Sequence, residues 1–299
     1  MKHRVCDYEG SDYEAFWPGR EYEDAAERIA LRRLLPPEGE ALVELGAGFG
    51  RLADLYQGYK RVILLDFARS QLLKAHKKLG EGKFIYVAAD IYRLPLASSA
   101  FDTAVTVRVL HHIADIPAAL AEVHRILKPQ GTYILEYANK RNLKEILRYL
   151  LGRSQKRPFS HEPYEYQDMH FNLHPAYISA SLREAGFTVK EELAVSLFRL
   201  PLLKRLLAPG VLAYLDGLLQ KPAAGLKLSP SIFVAARAVK KEGEAPKALF
   251  RCLYCYTPLQ ESVKDPEGKE TTLFCARCGQ EWRPQEGVYD FREPERIPS

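Results

Sequence analysis

The stretch Val43–Arg51 reads VELGAGFGR, with glycines at positions 46, 48 and 50 directly after an apolar run. Glycine has no Cβ, so a turn built from it lets a ligand approach the backbone closely. The dinucleotide spacing GxGxxG is not met, because Arg51 stands where its last glycine would be. A glycine-rich stretch is equally typical of an ordinary tight turn. The sequence around it is therefore needed to distinguish a turn from a ligand site.

Apolar runs alternate with helical patterns on both sides of this stretch, which predicts a parallel sheet covered on both faces. Ligands of such sheets bind beyond the carboxyl ends of the strands. The predicted strands are Ala41–Leu45, Val62–Leu65, Phe84–Ala88, Phe101–Val107, Thr132–Tyr137 and Ser231–Ala236. The predicted helices are Gly50–Gln57, Ser70–Leu79 and Pro117–Leu127.

Composition narrows the class of protein. The 299 residues carry a net charge of +5, which identifies no partner by itself. The start, MKHRVCDYEG, lacks the apolar stretch of a secretory signal, and no uncharged apolar run reaches the roughly 18 residues of a membrane span. Four of the five cysteines fall in two CxxC pairs, which is not a secreted disulfide framework. We therefore expect a reducing, cytoplasmic setting without a transmembrane segment.

Two acids end predicted strands. Asp66 follows the second strand, twenty residues after Gly46, where a carboxylate accepts the ribose hydroxyls of a nucleotide. Asp90 follows the third strand, and its alternative role is a helix N-cap.

The chain at this point resembles the class I S-adenosylmethionine-dependent methyltransferases. Four stretches carry the resemblance in order: EALVELGAGFGRLADL, VILLDFARSQL, FIYVAADIYRLPLASSAFDTAVTVRVLHHI and VHRILKPQGTYIL. They cover residues 38 to 138 closely, and residues 174 to 189 follow loosely. The resemblance implies an α/β, doubly wound Rossmann-like sheet that binds S-adenosyl-L-methionine.

The resemblance also implies roles for individual residues. Glu44 and the backbone of Gly46, Ala47 and Gly48 would hold the methionine part of the cofactor. Asp66 would take the ribose hydroxyls, Phe67 and Ile91 would flank the adenine, Asp90 would bind its amine, and Arg108 would lie near the methyl group. His111 and His112 are weak candidates for a catalytic base, the alternative being that they close the pocket floor.

The first 37 residues are rich in aromatic and charged side chains. In enzymes of this kind such a segment folds over the cofactor as a lid. Arg20 or Tyr22 would then meet the methionine carboxylate, since arginine matches a carboxylate fork. The alternative is that the aromatic side chains pack on the sheet edge.

Two segments of the domain 38–238 are expected to form a substrate cap, residues 139–180 and 197–225. Residues 139–160 hold seven basic residues against one acid, a net charge of +6, on an amphipathic helix pattern. Such a face can meet nucleic acid or anionic lipid, or simply be solvated. The second segment is apolar and broken by Pro201 and Pro209, which suits a pocket cap better than a membrane anchor.

The tail follows a polar linker, residues 239–248. Cys252 and Cys255 form one CxxC pair, Cys275 and Cys278 the other, with zinc-ribbon spacing. Four thiolates leave no open position on a tetrahedral ion, so we expect structural Zn²⁺ in a small domain over 249–299. The alternative is free or disulfide-linked cysteines. The tail resembles the Trm112-like zinc proteins, which bind and activate methyltransferases of RNA and translation factors.

These observations predict a methyltransferase for a small-molecule or lipid-like acceptor. The alternative is a methyltransferase for RNA or a translation protein, with the tail as a recruiting or activating module. A third interpretation is a cofactor-binding adaptor without turnover, which the intact cofactor motifs disfavour.

Overall fold

A computed structural model describes residues 4–154, 157–241, 248–263 and 271–292. Residues 242–247 of the expected linker, and Lys156 of the basic segment, lie outside the described residues. The centre of the protein is an eight-stranded sheet, with two smaller sheets beside it.

The strands are β1 Gly39–Leu45, β2 Tyr59–Asp66, β3 Phe84–Ala88, β4 Phe101–Thr106, β5 Leu127–Ala138, β6 Tyr164–Gln167, β7 His170–Asn172, β8 Phe187–Val195, β9 Ser231–Ala238, β10 Gln260–Val263, β11 Thr271–Phe274, β12 Glu281–Trp282 and β13 Val288–Asp290. The α-helices are α1 Glu21–Leu34, α2 Arg69–Leu79, α3 Ile116–Ile126, α4 Leu143–Leu150, α5 Pro175–Glu184, α6 Pro201–Leu206 and α7 Pro209–Leu219.

The large sheet has the order β13-β3-β2-β1-β4-β5-β9-β8. Strands β1 to β5 are parallel, as predicted, but β9 runs antiparallel to both of its neighbours. The connection from β8 to β9 starts and ends at the same edge of the sheet, so β9 has to return in the opposite direction. Two apolar clusters cover the two faces of the sheet.

The helix predicted over Gly50–Gln57 is wrong. The glycine turn is followed instead by a short 3-10 helix, Ala53–Tyr56. Gly50 has φ +73°, which a right-handed helix excludes. A Cβ on Gly50 would lie 2.8 Å from Leu79 Cδ1, so the turn packs tightly on α2.

The tail is not set apart from the main domain. Its last strand, β13, pairs in parallel with β3, and the Phe291 N–H donates to the Ala88 carbonyl (2.7 Å). Phe250 and Trp282 belong to the same buried cluster as Leu96 of the main domain. The tail therefore extends the large sheet on the β3 side.

Candidate functional site

A cleft opens at the carboxyl ends of β1 to β4, with a cavity volume of about 110 Å³ inside an open space of about 820 Å³. The lining residues are Arg4, Val5, Cys6, Tyr8, Tyr13, Gly46, Gly48, Leu65, Asp66, Phe67, Gln71, Ala89, Ile91, Tyr92, Val107, Arg108, Val109, His112 and Ile113. Seven of the predicted site residues are in this set: Gly46, Gly48, Asp66, Phe67, Ile91, Arg108 and His112.

The glycine turn is fixed against the second strand. The N–H groups of Gly46 and Ala47 both donate to the Leu65 carbonyl, at 2.7 and 3.0 Å. Gly46 has φ +76°, and a Cβ there would lie 2.1 Å from Val109 Cγ2. Only glycine fits this position, and Ala47 lies buried behind the turn rather than on the cleft wall.

Asp66 joins the turn to the cleft. Its Oδ2 accepts from the Gly48 N–H (2.7 Å) and its Oδ1 from the Ala68 N–H (2.9 Å). Burial raises the pKa of Asp66 above its ordinary value, and these backbone donors oppose the rise. A carboxylate offers about four lone-pair sites, so acceptor capacity remains for hydroxyl groups in the cleft.

Glu44 lies behind the turn and is buried. Burial raises its pKa to about 8, against the positive charge of Arg51. Within the described residues its Oε2 makes no hydrogen bond of standard geometry, while the nearby Tyr56 hydroxyl acts on the carboxyl to lower its pKa. A buried acceptor without a well-placed donor carries a desolvation cost, which a cationic group in the cleft would relieve.

The third strand contributes Ile91 to the cleft wall, while Asp90 is not among the lining residues. The Asp90 Oδ1 accepts from the Tyr92 N–H (2.9 Å), and the Asp90 carbonyl accepts from Arg93. In this structure Asp90 therefore shapes the loop that carries Ile91.

Arg20 and Tyr22, which were expected to meet the methionine carboxylate, are not among the lining residues. Arg20 stacks over the Phe16 ring, with its guanidinium carbon 3.7 Å from the ring centroid. The buried Tyr22 hydroxyl donates to Asp216 (2.7 Å) and accepts from the Phe198 N–H (2.8 Å). Tyr22 therefore lies on the face of α1 that packs on α7.

A network of ion pairs around Glu27 closes the cleft on the side of α1, and it was not predicted from the sequence. The Glu27 carboxylate accepts from Arg108 and from Arg51 (2.9 Å), and both guanidinium groups lie over the Trp17 ring. Burial raises the pKa of Glu27, but Arg108 and Arg51 outweigh it and hold the pKa below the ordinary value. Glu27 lies in α1, whereas Arg51 and Arg108 lie in separate loops. No local sequence motif therefore predicts the network.

His112 lines the cleft. Its Nε2 lies 3.1 Å from the Tyr8 hydroxyl and its Nδ1 lies 3.0 Å from the Met169 carbonyl. Burial lowers its pKa to about 4 despite the Met169 contact, so the ring is neutral at neutral pH. His111 is not among the lining residues, and burial also lowers its pKa, well below the ordinary value.

The segment from Arg4 to Tyr13 lies across the cleft. The Glu9 carboxylate accepts from the backbone of Arg69 and Ser70 at the start of α2 (both 2.9 Å) and from the Arg292 side chain (2.8 Å). Arg292 also donates to the Phe67 carbonyl (3.2 Å) and lies 5.8 Å from the Phe67 ring centroid. A residue of the tail therefore contacts both this covering segment and the cleft wall.

One of the two expected cap segments touches the cleft lining from outside: the Met169 carbonyl lies 3.0 Å from His112 Nδ1, and the His170 and His112 ring centroids are 4.5 Å apart. Within the described residues, the cleft lining includes no side chain from 139–180 or 197–225. In those segments α4 and α6 contain no buried residue. Nowhere in the described ranges does a helix have the length and apolarity needed to cross a bilayer.

The tail brings its four cysteines together. The Sγ atoms of Cys252, Cys255, Cys275 and Cys278 all lie within 4.8 Å of one another. A tetrahedral zinc with Zn–S bonds of about 2.3 Å needs sulfur atoms about 3.8 Å apart, so the cluster can hold such an ion. The histidine-rich stretch 160–174 forms no metal-ligand group in the described part of the chain.

Comparison with known proteins agrees with this geometry. Residues 43–135 match a family model described as a methyltransferase domain. The solved structure of an S-adenosylmethionine dependent methyltransferase from Mesorhizobium loti is similar in fold, with a TM-score of 0.50 at 20% identity over 72% of this chain and 99% of that one. The chain therefore has the Rossmann-like methyltransferase fold.

Two curated relatives resemble this chain over its domain core. The malonyl-[acyl-carrier protein] O-methyltransferase of Serratia marcescens is 31% identical over 109 residues, 36% of this chain and 42% of the relative. The ubiquinone/menaquinone biosynthesis C-methyltransferase of Paracoccus denitrificans is 32% identical over 114 residues, 35% of this chain and 45% of the relative. The chain thus spans less than half the length of either relative.

Proposed function

We propose that this protein is an S-adenosylmethionine-dependent methyltransferase that acts on a small-molecule or lipid-like acceptor. The observation that carries the proposal is the cleft at the carboxyl ends of β1 to β4, where the glycine turn and Asp66 meet. The match of residues 43–135 to a methyltransferase domain supports it. One relative is named for malonyl-[acyl-carrier protein] and the other for ubiquinone and menaquinone biosynthesis, which supports the acceptor class.

The residues of the cleft fit the cofactor. Asp66 has spare acceptor capacity for two ribose hydroxyls, and Phe67 and Ile91 offer apolar walls for a planar base. Arg108 is the cation on the lining nearest to α1, and it would face the methionine carboxylate in place of Arg20. The Glu44 Oε2 would be the acceptor for the methionine amino group, directly or through water.

When bound, the cofactor supplies an activated methyl group on a sulfonium. The protein then has to align the acceptor and exclude water. The segment from Arg4 to Tyr13 covers the cleft and performs the second task. Both ring nitrogens of the neutral His112 are engaged, by Tyr8 and by Met169, and a pKa of about 4 makes the ring a weak base, which supports the role of closing the pocket floor over that of catalytic base.

The same proposal assigns structural Zn²⁺ to the four-cysteine cluster of the Trm112-like tail. Four thiolates would fill the four positions of a tetrahedral ion, so the ion would have no open coordination position and would take no part in methyl transfer.

A methyl-transfer assay tests the function. Tritiated S-adenosylmethionine and the full chain are incubated with cell extract separated into lipid, small-metabolite, RNA and protein pools. We expect label in the lipid or small-metabolite pool, and loss of that label with Asp66→Ala. Absence of label from every pool, despite tight cofactor binding, would contradict an enzyme and favour an adaptor.

The exposed cations of α4 favour a second candidate, a methyltransferase for RNA or a translation protein. Lys144 and Arg148 lie on this helix and face solvent. Label in the RNA or protein pool would select this candidate over the first.

A further inference from the structure

Three short helices leave the large sheet at one edge. Ala138, the last residue of β5, and Val195, the last residue of β8, both pair with Ser231, the first residue of β9. The chain before α4, the chain before α6 and the chain after α7 therefore start or end at this edge. The cleft opens at the same edge, because β1 to β4 run parallel to β5.

Large apolar side chains are exposed on these helices. In the described part of the chain, all exposed large apolar residues except Phe16, Val239, Tyr254 and Tyr256 fall between positions 143 and 226. Leu150 is 67% exposed and Leu206 69% exposed. Those on or beside the helices are Leu143, Leu147, Tyr149, Leu150, Leu151, Leu200, Leu202, Leu206, Leu207, Val211, Tyr214, Leu215, Leu218, Leu219 and Leu226.

This exposure is unusual for a helix of a globular protein. A surface helix normally turns its apolar stripe toward the core. Single exposed leucines are common on protein surfaces. A concentrated set of them marks an interaction site. The helix α7 does bury Leu212 and Ala213 against α1, so its outward leucines form a second apolar face.

The charges between these side chains are positive. Lys144, Arg153 and Arg205 are exposed, and among the described residues no carboxylate lies within ion-pair distance of them. The acidic side chains of these helices pair with other residues. Glu145 lies 3.5 Å from Arg148, and the buried Asp216 accepts from Tyr22. The edge therefore combines leucines with unpaired cations.

This combination distinguishes a lipid surface from nucleic acid. Single-stranded RNA is bound by cations together with aromatic side chains that stack on the bases. Of the fifteen exposed apolar residues named above on or beside these helices, two are aromatic, Tyr149 and Tyr214, and the other exposed aromatic residues of the described region, Phe159, Tyr164 and Tyr166, lie between α4 and α5. At an anionic bilayer, leucines enter the boundary between headgroups and acyl chains while Lys and Arg reach the phosphates.

We propose that α4, α6 and α7 dock this protein onto the surface of an anionic lipid membrane. The leucines enter the headgroup boundary, and Lys144, Arg153 and Arg205 contact lipid phosphates. The docking stands independently of the proposed methyl transfer. Where that transfer acts on a lipid-like acceptor, docking brings the acceptor to the edge where the cleft opens.

Vesicle co-sedimentation of the full chain tests this proposal. Vesicles of phosphatidylcholine alone are compared with vesicles that also contain phosphatidylglycerol. We expect binding to the anionic vesicles, weakening as salt rises, since each cation near such a surface contributes roughly fivefold in affinity. Leu147→Ser/Leu150→Ser and Lys144→Glu/Arg205→Glu are each expected to weaken binding by at least tenfold.

The matched control lies at the opposite edge of the sheet. Val239 is exposed and follows the end of β9, and Lys241 is exposed two residues further on. Val239→Ser/Lys241→Glu makes the same kinds of change, apolar to serine and basic to glutamate, and is expected to leave vesicle binding unchanged. Thermal unfolding of each variant confirms that it is folded before binding is compared.

Three results would overturn the proposal. The first is no binding to anionic vesicles, or binding that the helix variants leave intact. The second is a dimer in size-exclusion chromatography that Leu147→Ser/Leu150→Ser dissociates, since the apolar face would then be covered by a second copy. The third is salt-sensitive binding to an RNA oligonucleotide without vesicle binding. Cofactor binding measured on the same samples reports separately on the proposed enzyme.

Discussion

The carboxyl ends of β1 to β4 are covered by the segment from Arg4 to Tyr13. The same edge of the sheet is bare over β5, β9 and β8, where the neighbouring helices expose apolar side chains. The covered half is closed by directional contacts, such as Glu9 on the start of α2 and Tyr8 on His112. The bare half presents leucines, for which the described helices provide no cover. Directional polar contacts suit a small ligand of fixed shape, whereas an apolar surface with scattered cations suits a large and fluid partner. The two halves of one edge therefore have separate tasks, and changes to one should leave the other intact.

Removing the proposed zinc from the tail is expected to have the largest effect, and to affect only the part of the sheet formed by β1 to β4 and the tail beside it. Cys252 and Cys275 are fully buried, and a module of this size has little core without an ion. Structural zinc contributes about 10 kcal/mol or more to the folding of small modules. A chelator should therefore expose the tail to limited proteolysis and change the fluorescence of Trp282. Vesicle binding should not change.

The cysteines offer a matched control for this experiment. Cys275→Ser removes a proposed ligand, whereas Cys6→Ser removes a free thiol outside the cluster. We expect the first variant to behave like the chelated protein and the second like the untreated one. A tail that stays protected after chelation would show that the four thiols hold the fold without an ion.

Asp66→Ala is expected to weaken binding of S-adenosylmethionine by about tenfold to hundredfold. The change removes hydrogen bonds to a charged acceptor, which contribute about 1.5–3 kcal/mol. Calorimetric titration measures the affinity. Asp102→Asn is the control, since Asp102 accepts from the Ala41 N–H (2.9 Å) at the opposite edge of the same sheet. Equal losses in both variants would point to a general defect of the sheet and not to a contact with the cofactor.

The pH dependence of stability should carry a contribution from His112. Its pKa is about 4 in the folded protein against an ordinary value of 6.5. Below pH 6.5 the unfolded chain takes up a proton that the folded chain does not, so the free energy of unfolding falls as pH drops toward 4. The loss is at most about 1.4 kcal/mol per pH unit.

Denaturant unfolding of the native protein and of His112→Gln between pH 7.5 and pH about 4.5 isolates this contribution. The variant is expected to show the flatter profile, because its side chain does not titrate. Identical slopes would mean that His112 is already solvated in the folded protein.

Arg292→Ala is expected to weaken cofactor binding by about threefold to tenfold, since a hydrogen bond of this kind contributes about 1 kcal/mol. Without Arg292, Glu9 loses one of its donors and the Phe67 carbonyl loses its contact with the tail. A faster release of the cofactor in stopped-flow measurements would show that the covering segment opens more readily. Arg283→Ala, an exposed arginine of the same tail, is the control and should release the cofactor at the native rate.

The sequence predicted the parts of the fold that local pattern determines. The strand Phe84–Ala88 was predicted with its observed bounds, because an apolar run between polar turns defines a buried strand. The antiparallel direction of β9 and the pairing of β13 with β3 depend on tertiary packing, and no local signal carries them.

The site divides in the same way. Gly46, Asp66 and Arg108 follow strands of one parallel sheet, so their convergence on one cleft could be predicted from chain order. Tyr22 was expected near the cofactor because a leading segment of this kind folds over the cofactor in similar enzymes, and nothing in the local sequence shows that its hydroxyl bonds to Asp216, 194 positions away. The contact of Glu9 with Arg292 joins residues 283 positions apart, beyond the reach of any motif.

The smallest effect is expected from Leu147→Ser/Leu150→Ser on the isolated protein. Both side chains lie on α4, which contains no buried residue, so their loss removes no packing from the core. The free energy of unfolding should change by no more than about 0.5 kcal/mol, the usual range for surface substitutions. Affinity for S-adenosylmethionine should equal that of the native protein, because α4 does not line the cleft. A loss of stability well above this range would mean that α4 packs on the body of the protein in solution. The bare half of the edge would then be covered like the other half, and the contrast between the two would not hold.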